Sequence, residues 1–431
     1  MFSVNKVPIA IVFLLGLNGC AGQTGLDANS ENPYSIEALR NQLSSIRGLS
    51  FIDGVPMVAE SAERLKKYVD TDLQQSTGVK NLDDISLAYE KLGLLPHGAS
   101  LRSGLLGFYS TQAMAFYDST TKRVVLLGSP SERSDAPTVG GIDEKVLVHE
   151  LTHALQDQHF LVGDGLRHSD NGDASLALRS VAEGDAILTE YAFSFGGLKD
   201  WLPGYVAQVF GNPGDNAAVA AAPMIVADKV QFQYSAGVRF VSHFVGKNGW
   251  LSVNLLYKHP PLSTEQVLHP EKYLDAPDPP VRIQLHGLSN LFSSEWREIE
   301  NDTLGELMVH CLFKQFLSPI EAAAVAEGWG GDRFVAYRNG EEVAFIWATV
   351  WDTAKDAEEF YENYQKVVSM KYHTSLVDSD SYIEKRDRSV IVVEGLEPEQ
   401  VKRNINTLWA SMTTERETFQ PPPFGSSVAS R

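Results

Sequence analysis

The chain has 431 residues, 43% hydrophobic and 21% charged, which excludes general disorder and points to two or three folded domains. Its 36 basic against 55 acidic side chains give a net charge of −19, which a phosphate backbone repels, so no nucleic-acid partner is expected. Two cysteines, Cys20 and Cys311, exclude a disulfide scaffold and a cysteine-rich zinc site.

The N-terminus carries Lys6, an apolar run over 7–17, and then Leu17-Asn18-Gly19-Cys20. The run is too short for a membrane-spanning helix, which needs roughly 20 apolar residues. The segment resembles the lipobox of a bacterial lipoprotein signal. It implies removal of residues 1–19, lipid on Cys20, and a lipid-anchored protein of the extracytoplasmic cell envelope. Residues 20–35 are polar and form a tether.

Across 36–92 the pattern is helical. Val55, Val58, Ala62, Leu65 and Val69 recur three or four apart, and Pro96 stops the last helix. Residues 113–117 and 123–127 are short β-type runs around a polar turn. After Gly140-Gly141 a strong helix is expected over 142–160, then a polar loop containing Gly163, Gly165 and Gly172. The next helix is expected to be capped by Asp173 or Ser175 and to run to about Phe195. Residues 217–222 and 232–246 also read as helical.

The proline-rich stretch 275–280 is the expected domain boundary. Beyond it, strands are expected at 335–337, 343–351 and 389–393, and helices at 356–368 and 398–412. The predicted organisation is therefore α+β: a domain over 36–275, a smaller α+β domain over 281–420, and a flexible tail over 421–431. Cys311 lies in an apolar helical stretch and reads as a buried small hydrophobe.

One motif carries chemistry: His149-Glu150-Leu151-Thr152-His153. On a helix, residues four apart share a face, so two imidazoles at that spacing can reach one tetrahedral Zn²⁺ at about 2.0–2.1 Å. Glu150 is then placed as general base for attack on a carbonyl. The helix is credible because Val146, Leu147, Leu151, Ala154 and Leu155 give it an apolar face, and neither Pro nor Gly interrupts 142–160.

A catalytic site needs a third protein ligand, and two candidates compete. His159 has the offset of the third histidine in H-E-x-x-H-x-x-G-x-x-H, but that arrangement requires the helix to break at the glycine. Gln156 stands there, and a glutamine at positive φ is unfavourable. Glu183, in Ser180-Val-Ala-Glu-Gly-Asp-Ala186, can be offered by a second, antiparallel helix. The missing helix breaker favours Glu183. Asp157, four residues after His153, is a candidate to orient an imidazole from behind.

His149–Phe160 reads H-E-L-T-H-A-L-Q-D-Q-H-F. Later come Tyr234-Ser-Ala-Gly237 and Pro260-Pro-Leu-Ser-Thr-Glu-Gln-Val-Leu-His-Pro-Glu-Lys-Tyr273. Together these resemble a largely uncharacterised family of bacterial and archaeal zinc metallopeptidases of gluzincin type. The likeness covers roughly residues 93–273, with a weaker echo in Gly328-Trp-Gly-Gly-Asp-Arg333.

The resemblance implies a zincin-like fold with an active-site helix beside a small sheet, and one Zn²⁺ on His149, His153 and Glu183. It also implies Glu150 as base and a peptide or protein substrate. The aspartate that gluzincins often place four residues after the ligand glutamate is Ile187 here, so such a contact must come from elsewhere. Tyr234 and His269 are candidate donors to a developing oxyanion. The 260–273 segment has a competing structural reading, as a turn with a capped helix. Two rivals to a peptidase are a zinc-fold envelope protein that binds or escorts other proteins, and a structural zinc lipoprotein.

Cys20→Ala should move the protein from the membrane to the soluble extracytoplasmic fraction or block processing, as fractionation with mass spectrometry of the N-terminus will show. Wild-type protein found wholly soluble, with another N-terminus, contradicts the anchor.

Overall fold

The computed structural model describes residues 11–14, 36–60, 81–127, 144–198, 222–288, 291–373 and 379–422. The fold is α+β. The N-terminal half is a stack of helices against a four-stranded sheet, and the C-terminal part is built on a five-stranded sheet.

The first sheet has the order β1-β3-β4-β2, with β1 Ile11–Leu14, β2 Met57–Glu60, β3 Ala113–Asp118 and β4 Arg123–Leu127. β3 and β4 form the expected hairpin. Two features differ from the sequence reading. Residues 57–60, placed on a helix face with Val58, instead form a strand parallel to β4. The recurrence there was too short to separate the two periods, and residues 61–80 lie outside the described part. In addition, four residues of the expected signal segment pair antiparallel with β3. An Ile-Val-Phe-Leu run has strand propensity and the β3 edge is a bare template.

The helices of this half are α1 Ile36–Arg47, α2 Leu82–Leu92, α3 Leu101–Gln112, α4 Glu144–Phe160, α5 Val162–His168 and α6 Gly172–Phe195. After α7 Met224–Gln231 a π-helical turn, Phe232–Ala236, leads into α8 Gly237–Asn248. α9 Trp250–Lys258 and the short α10 Thr264–Leu268 and α11 Pro270–Tyr273 follow. Gly93, at φ 101°, ends α2, so the stop is this left-handed glycine rather than Pro96. The expected loop after α4 contains α5. The cap of α6 is Asn171, whose side chain accepts from the Ala174 N–H at 3.0 Å. Asn is as good a cap as Asp, and Asp173 is left in the first turn, where the helix dipole favours an acid.

α6 is the central element, with α4 on one side and α8 on the other. The α6–α8 crossing is glycine-made. A Cβ on Gly184 would lie 2.4 Å from the Gly237 carbonyl oxygen, and one on Gly237 would lie 2.1 Å from that of Ser180. Backbone therefore meets backbone, and α6 is buried on both flanks.

In the C-terminal part, β6 Arg297–Asp302, β7 Trp329–Asn339, β8 Glu342–Trp351, β9 Ser381–Arg386 and β10 Ser389–Glu394 form an antiparallel sheet of order β6-β7-β8-β10-β9. Alternation puts Phe345, Trp347, Trp351, Val390 and Val392 on one face and Ile346, Ala348, Val350, Ile391 and Val393 on the other. α14 Ala354–Tyr372 covers the first face through Phe360 and Tyr364. α15 Pro398–Ser411 covers the second through Val401, Ile405 and Leu408. α12 Gly305–Lys314, which carries the buried Cys311, and α13 Pro319–Ala326 complete the set with the β5 Val281–Leu285 and β11 Met412–Arg416 pair.

An apolar cluster wholly beyond 275–280 packs Ile283, Ile346 and Ile405, and a larger one spans the segment. One apolar cluster runs from Leu82 and Tyr191 through Phe244 and Tyr273 to Phe334, Trp347 and Tyr364. Proline content marks the connection but not the packing across it. Among the described residues, no helix is long and apolar enough to cross a membrane.

Gly237→Ala tests the close crossing. Alanine gains about 1 kcal/mol in helix propensity, yet its Cβ strikes backbone that cannot rotate away. A net loss of about 1–3 kcal/mol is expected by denaturant unfolding. Unchanged stability contradicts the crossing.

Candidate metal centre

His149 and His153 stand one turn apart on α4, their ring centroids 4.7 Å apart and edge to face. From α6, Oε2 of Glu183 lies 3.2 Å from Nε2 of His149 and 3.7 Å from Nε2 of His153. One ligand atom from each residue falls within 4.8 Å of the others. None of the three residues is more than 2% exposed.

Glu150 reaches β3. Its Oε2 accepts the Tyr117 N–H at 2.7 Å, and its Oε1 is buried with no hydrogen-bond partner. His153 Nε2 is likewise buried and beyond hydrogen-bond distance of any acceptor. Unpartnered buried polar atoms cost about 1–3 kcal/mol each. Two of them beside a buried carboxylate, in a two-imidazole, one-carboxylate donor set, fit a divalent cation.

Electrostatics follow from burial. Burial works against charge on the His149 imidazole, but Glu183 and Glu190 outweigh it and push the ring up to about 9. Burial also works to raise Glu183, and His153 and His149 overcome it, drawing the carboxyl down to about 2. For Glu150 burial wins against the pull of both imidazoles and lifts it to about 7. The cluster thus favours positive charge beside Glu183 and leaves next to it a carboxyl of raised proton affinity.

Each imidazole is backed by a second residue. Nδ1 of His149 faces Oε2 of Glu190 at 3.8 Å, and Nδ1 of His153 bonds Oε1 of Gln156 at 2.9 Å. Glu190 is two helical turns beyond Glu183 and therefore shares its face. It takes the place that Ile187 leaves empty.

The other candidates have surroundings of their own. α4 runs unbroken through Gln156, and His159 bonds the Ser50 carbonyl through Nε2 at 2.8 Å near the surface, away from the cluster. Asp157 does not orient an imidazole. It accepts from the Tyr117 hydroxyl at 3.0 Å and the Gly163 N–H at 3.2 Å, and pairs with Lys122. Tyr234 is buried in the apolar core on the π-helical turn. His269 Nε2 bonds Oε1 of Glu306 at 2.9 Å, joining α10–α11 to α12. Cys20 lies outside the described residues.

A second acidic group, Glu265, Asp278 and Asp352, already surrounds a cation. Lys272 Nζ stands 2.6, 3.7 and 2.7 Å from them in turn. The Thr264 hydroxyl and N–H both donate to Asp173, at 2.6 and 3.1 Å. Ser263 caps α10 by accepting the Gln266 N–H at 3.2 Å, which is the turn and capped helix of the structural reading.

A family model described as a domain of unknown function, DUF8575, matches residues 291–404, the span of the five-stranded sheet. No curated protein and no solved structure matches the chain.

His269 yields a pH test. Its hydrogen bond to Glu306 raises it above its ordinary value of 6.5 in spite of burial. Folding therefore favours the imidazolium. The resulting stability is fully present below the unfolded value and is lost as pH rises through the folded one. His269→Asn should lower the melting temperature more at pH 5.5 than at pH 8.5; equal losses contradict the pairing.

Proposed function

We propose that the protein is a zinc-dependent peptidase of gluzincin type, with a zincin-like N-terminal part, held to the cell envelope by lipid on Cys20. The supporting observation is the convergence of His149, His153 and Glu183 within 4.8 Å, with the unpartnered Glu150 Oε1 on the same helix turn. Zn²⁺, held by these three residues, supplies Lewis acidity towards a scissile carbonyl and the attacking water.

The chain's own groups do the rest. Glu150 takes the proton of the attacking water and passes it to the leaving amine. Its elevated proton affinity suits both transfers at neutral pH, and the Tyr117 N–H fixes the carboxylate so that only Oε1 is available. A carboxylate ligand in place of a third imidazole lowers the net charge of the centre. Burial excludes bulk water and strengthens each interaction.

The test is a panel. Wild type, Glu150→Gln and His159→Ala should each hold close to one zinc per chain, and Glu183→Ala should lose most of it. Glu150→Gln should also lower turnover of a proteome-derived peptide library by roughly 10²–10⁴-fold. Zinc lost from the His159 variant but kept by the Glu183 variant contradicts the ligand set. A wild type that holds zinc yet cleaves nothing favours binding or escort of other proteins.

A further inference from the structure

The partner of His153 has its own partners, and they reach far along the chain. Nε2 of Gln156 lies 2.9 Å from the Ala182 carbonyl and 3.0 Å from Oδ2 of Asp185. Both are acceptors, so this end of the carboxamide is its NH₂. The other end is therefore the oxygen, which can only accept. It stands 2.9 Å from Nδ1 of His153, so that nitrogen carries the hydrogen. The second ring nitrogen, Nε2, is left as a bare lone pair facing Glu183.

The amide cannot turn over, because Asp185 fixes it. Arg47, the last residue of α1, pairs with Asp185: its Nη2 donates to Oδ2 at 3.0 Å, and its Nε lies at ion-pair distance from Oδ1, 2.9 Å away. Tyr257 adds its hydroxyl to Oδ2 at 2.8 Å. A guanidinium donor and a hydroxyl donor on Oδ2 hold the Asp185 side chain in one orientation. Gln156, Asp185 and Arg47 are no more than 1% exposed, so water does not compete for these bonds. A flipped amide would set its oxygen against a carboxylate and a carbonyl, leaving three buried groups mispaired.

We propose that Gln156 is a positioning residue of the metal centre: locked by Asp185 and, through it, by Arg47, its carboxamide holds the hydrogen on Nδ1 of His153 and leaves Nε2 directed at the ion. The proposal rests on the metal reading above and extends it. The second histidine is oriented by an amide one turn further along its own helix, and that amide by an arginine from α1. Groups behind metal-bound histidines fix the ring and its basicity, and their removal typically costs roughly 10–100-fold in metal affinity.

The experiment uses the full chain labelled with ¹⁵N-histidine, with Zn²⁺ and Co²⁺ as probes. The wild type should show a slowly exchanging ring N–H at His153 Nδ1. Gln156→Met keeps length and shape but loses the acceptor. It should lose the exchange protection, weaken zinc binding by roughly 10–100-fold and shift the visible absorption of the Co²⁺ form.

Residue 156 acting as filler alone predicts a lower melting temperature for Gln156→Met and no change in metal affinity or spectrum. Wild-type affinity and spectrum in Gln156→Met overturn the proposal. Should that variant not fold, the wild-type label decides, because a His153 ring hydrogen on Nε2 overturns it equally. A wild type that takes up no zinc fails the metal reading instead, while the ring hydrogen in the metal-free chain still reads the role of Gln156.

Discussion

A carboxylate buried between two helices is the constraint on which the rest of this structure turns. Glu183 lies mid-way along α6, with 2% of its surface exposed and apolar side chains above and below it in the helix. Taking such a charge out of water costs several kcal/mol unless positive charge and hydrogen bonds meet it. The two α4 imidazoles meet it. Their arrival depends on α4 staying straight through Gln156 and on α6 lying close, and α6 in turn is seated by the glycine crossing with α8. Loosening any of these contacts would leave an unmatched buried charge.

The same economy extends outward from the cluster. Polar groups stand behind those that face it. Glu190 stands behind His149, Gln156 behind His153, and the β3 backbone behind Glu150. The hairpin is braced in turn, because Tyr117 both offers its N–H to Glu150 and donates its hydroxyl to Asp157. Helix and sheet thus share the placement of the base, which explains why so small a sheet lies directly against α4.

Much of this was legible in the sequence, and the remainder was not for identifiable reasons. The α4 helix, the hairpin and the 149/153/183 set follow from periodicity and from the lack of a helix breaker, both local properties. The partners of the ligands do not. Glu190 needed only its two-turn spacing from Glu183, a signal that was available and passed over. Gln156 looked like the place of a missing glycine, and its amide acquires meaning only once Asp185 and Arg47, distant in sequence, are seen beside it. Asp157 had the right helical offset from His153, yet Tyr117 and Lys122 claim it. The four-residue β2 was too short for its period to show. The proline-rich 275–280 segment reports chain direction, whereas domain independence depends on packing across it.

That packing gives the C-terminal sheet a part in placing Glu183. Asp173, in the first turn of the helix that carries Glu183, accepts from Thr264. The same Thr264 hydroxyl accepts the Leu307 N–H of α12 at 3.2 Å. A Cβ on Gly305 would lie 1.8 Å from Oδ1 of Asp173, so only glycine, here at φ 80°, lets α12 begin against that carboxylate. Asp332 of β7 fixes the same α12 terminus by accepting the N–H groups of Leu304 and Gly305, while Trp329 and Trp347 donate their indole N–H groups to it. Thr264 of Ser-Thr-Glu-Gln and Asp332 of Trp-Gly-Gly-Asp thus both help to anchor one end of α6. A helix pinned at its first turn by the C-terminal sheet, and in its middle by the α8 crossing, has little freedom to slide along α4. Glu183 is only three turns from that first pin, so its distance from the imidazoles is set as much by residues beyond 300 as by the motif it completes.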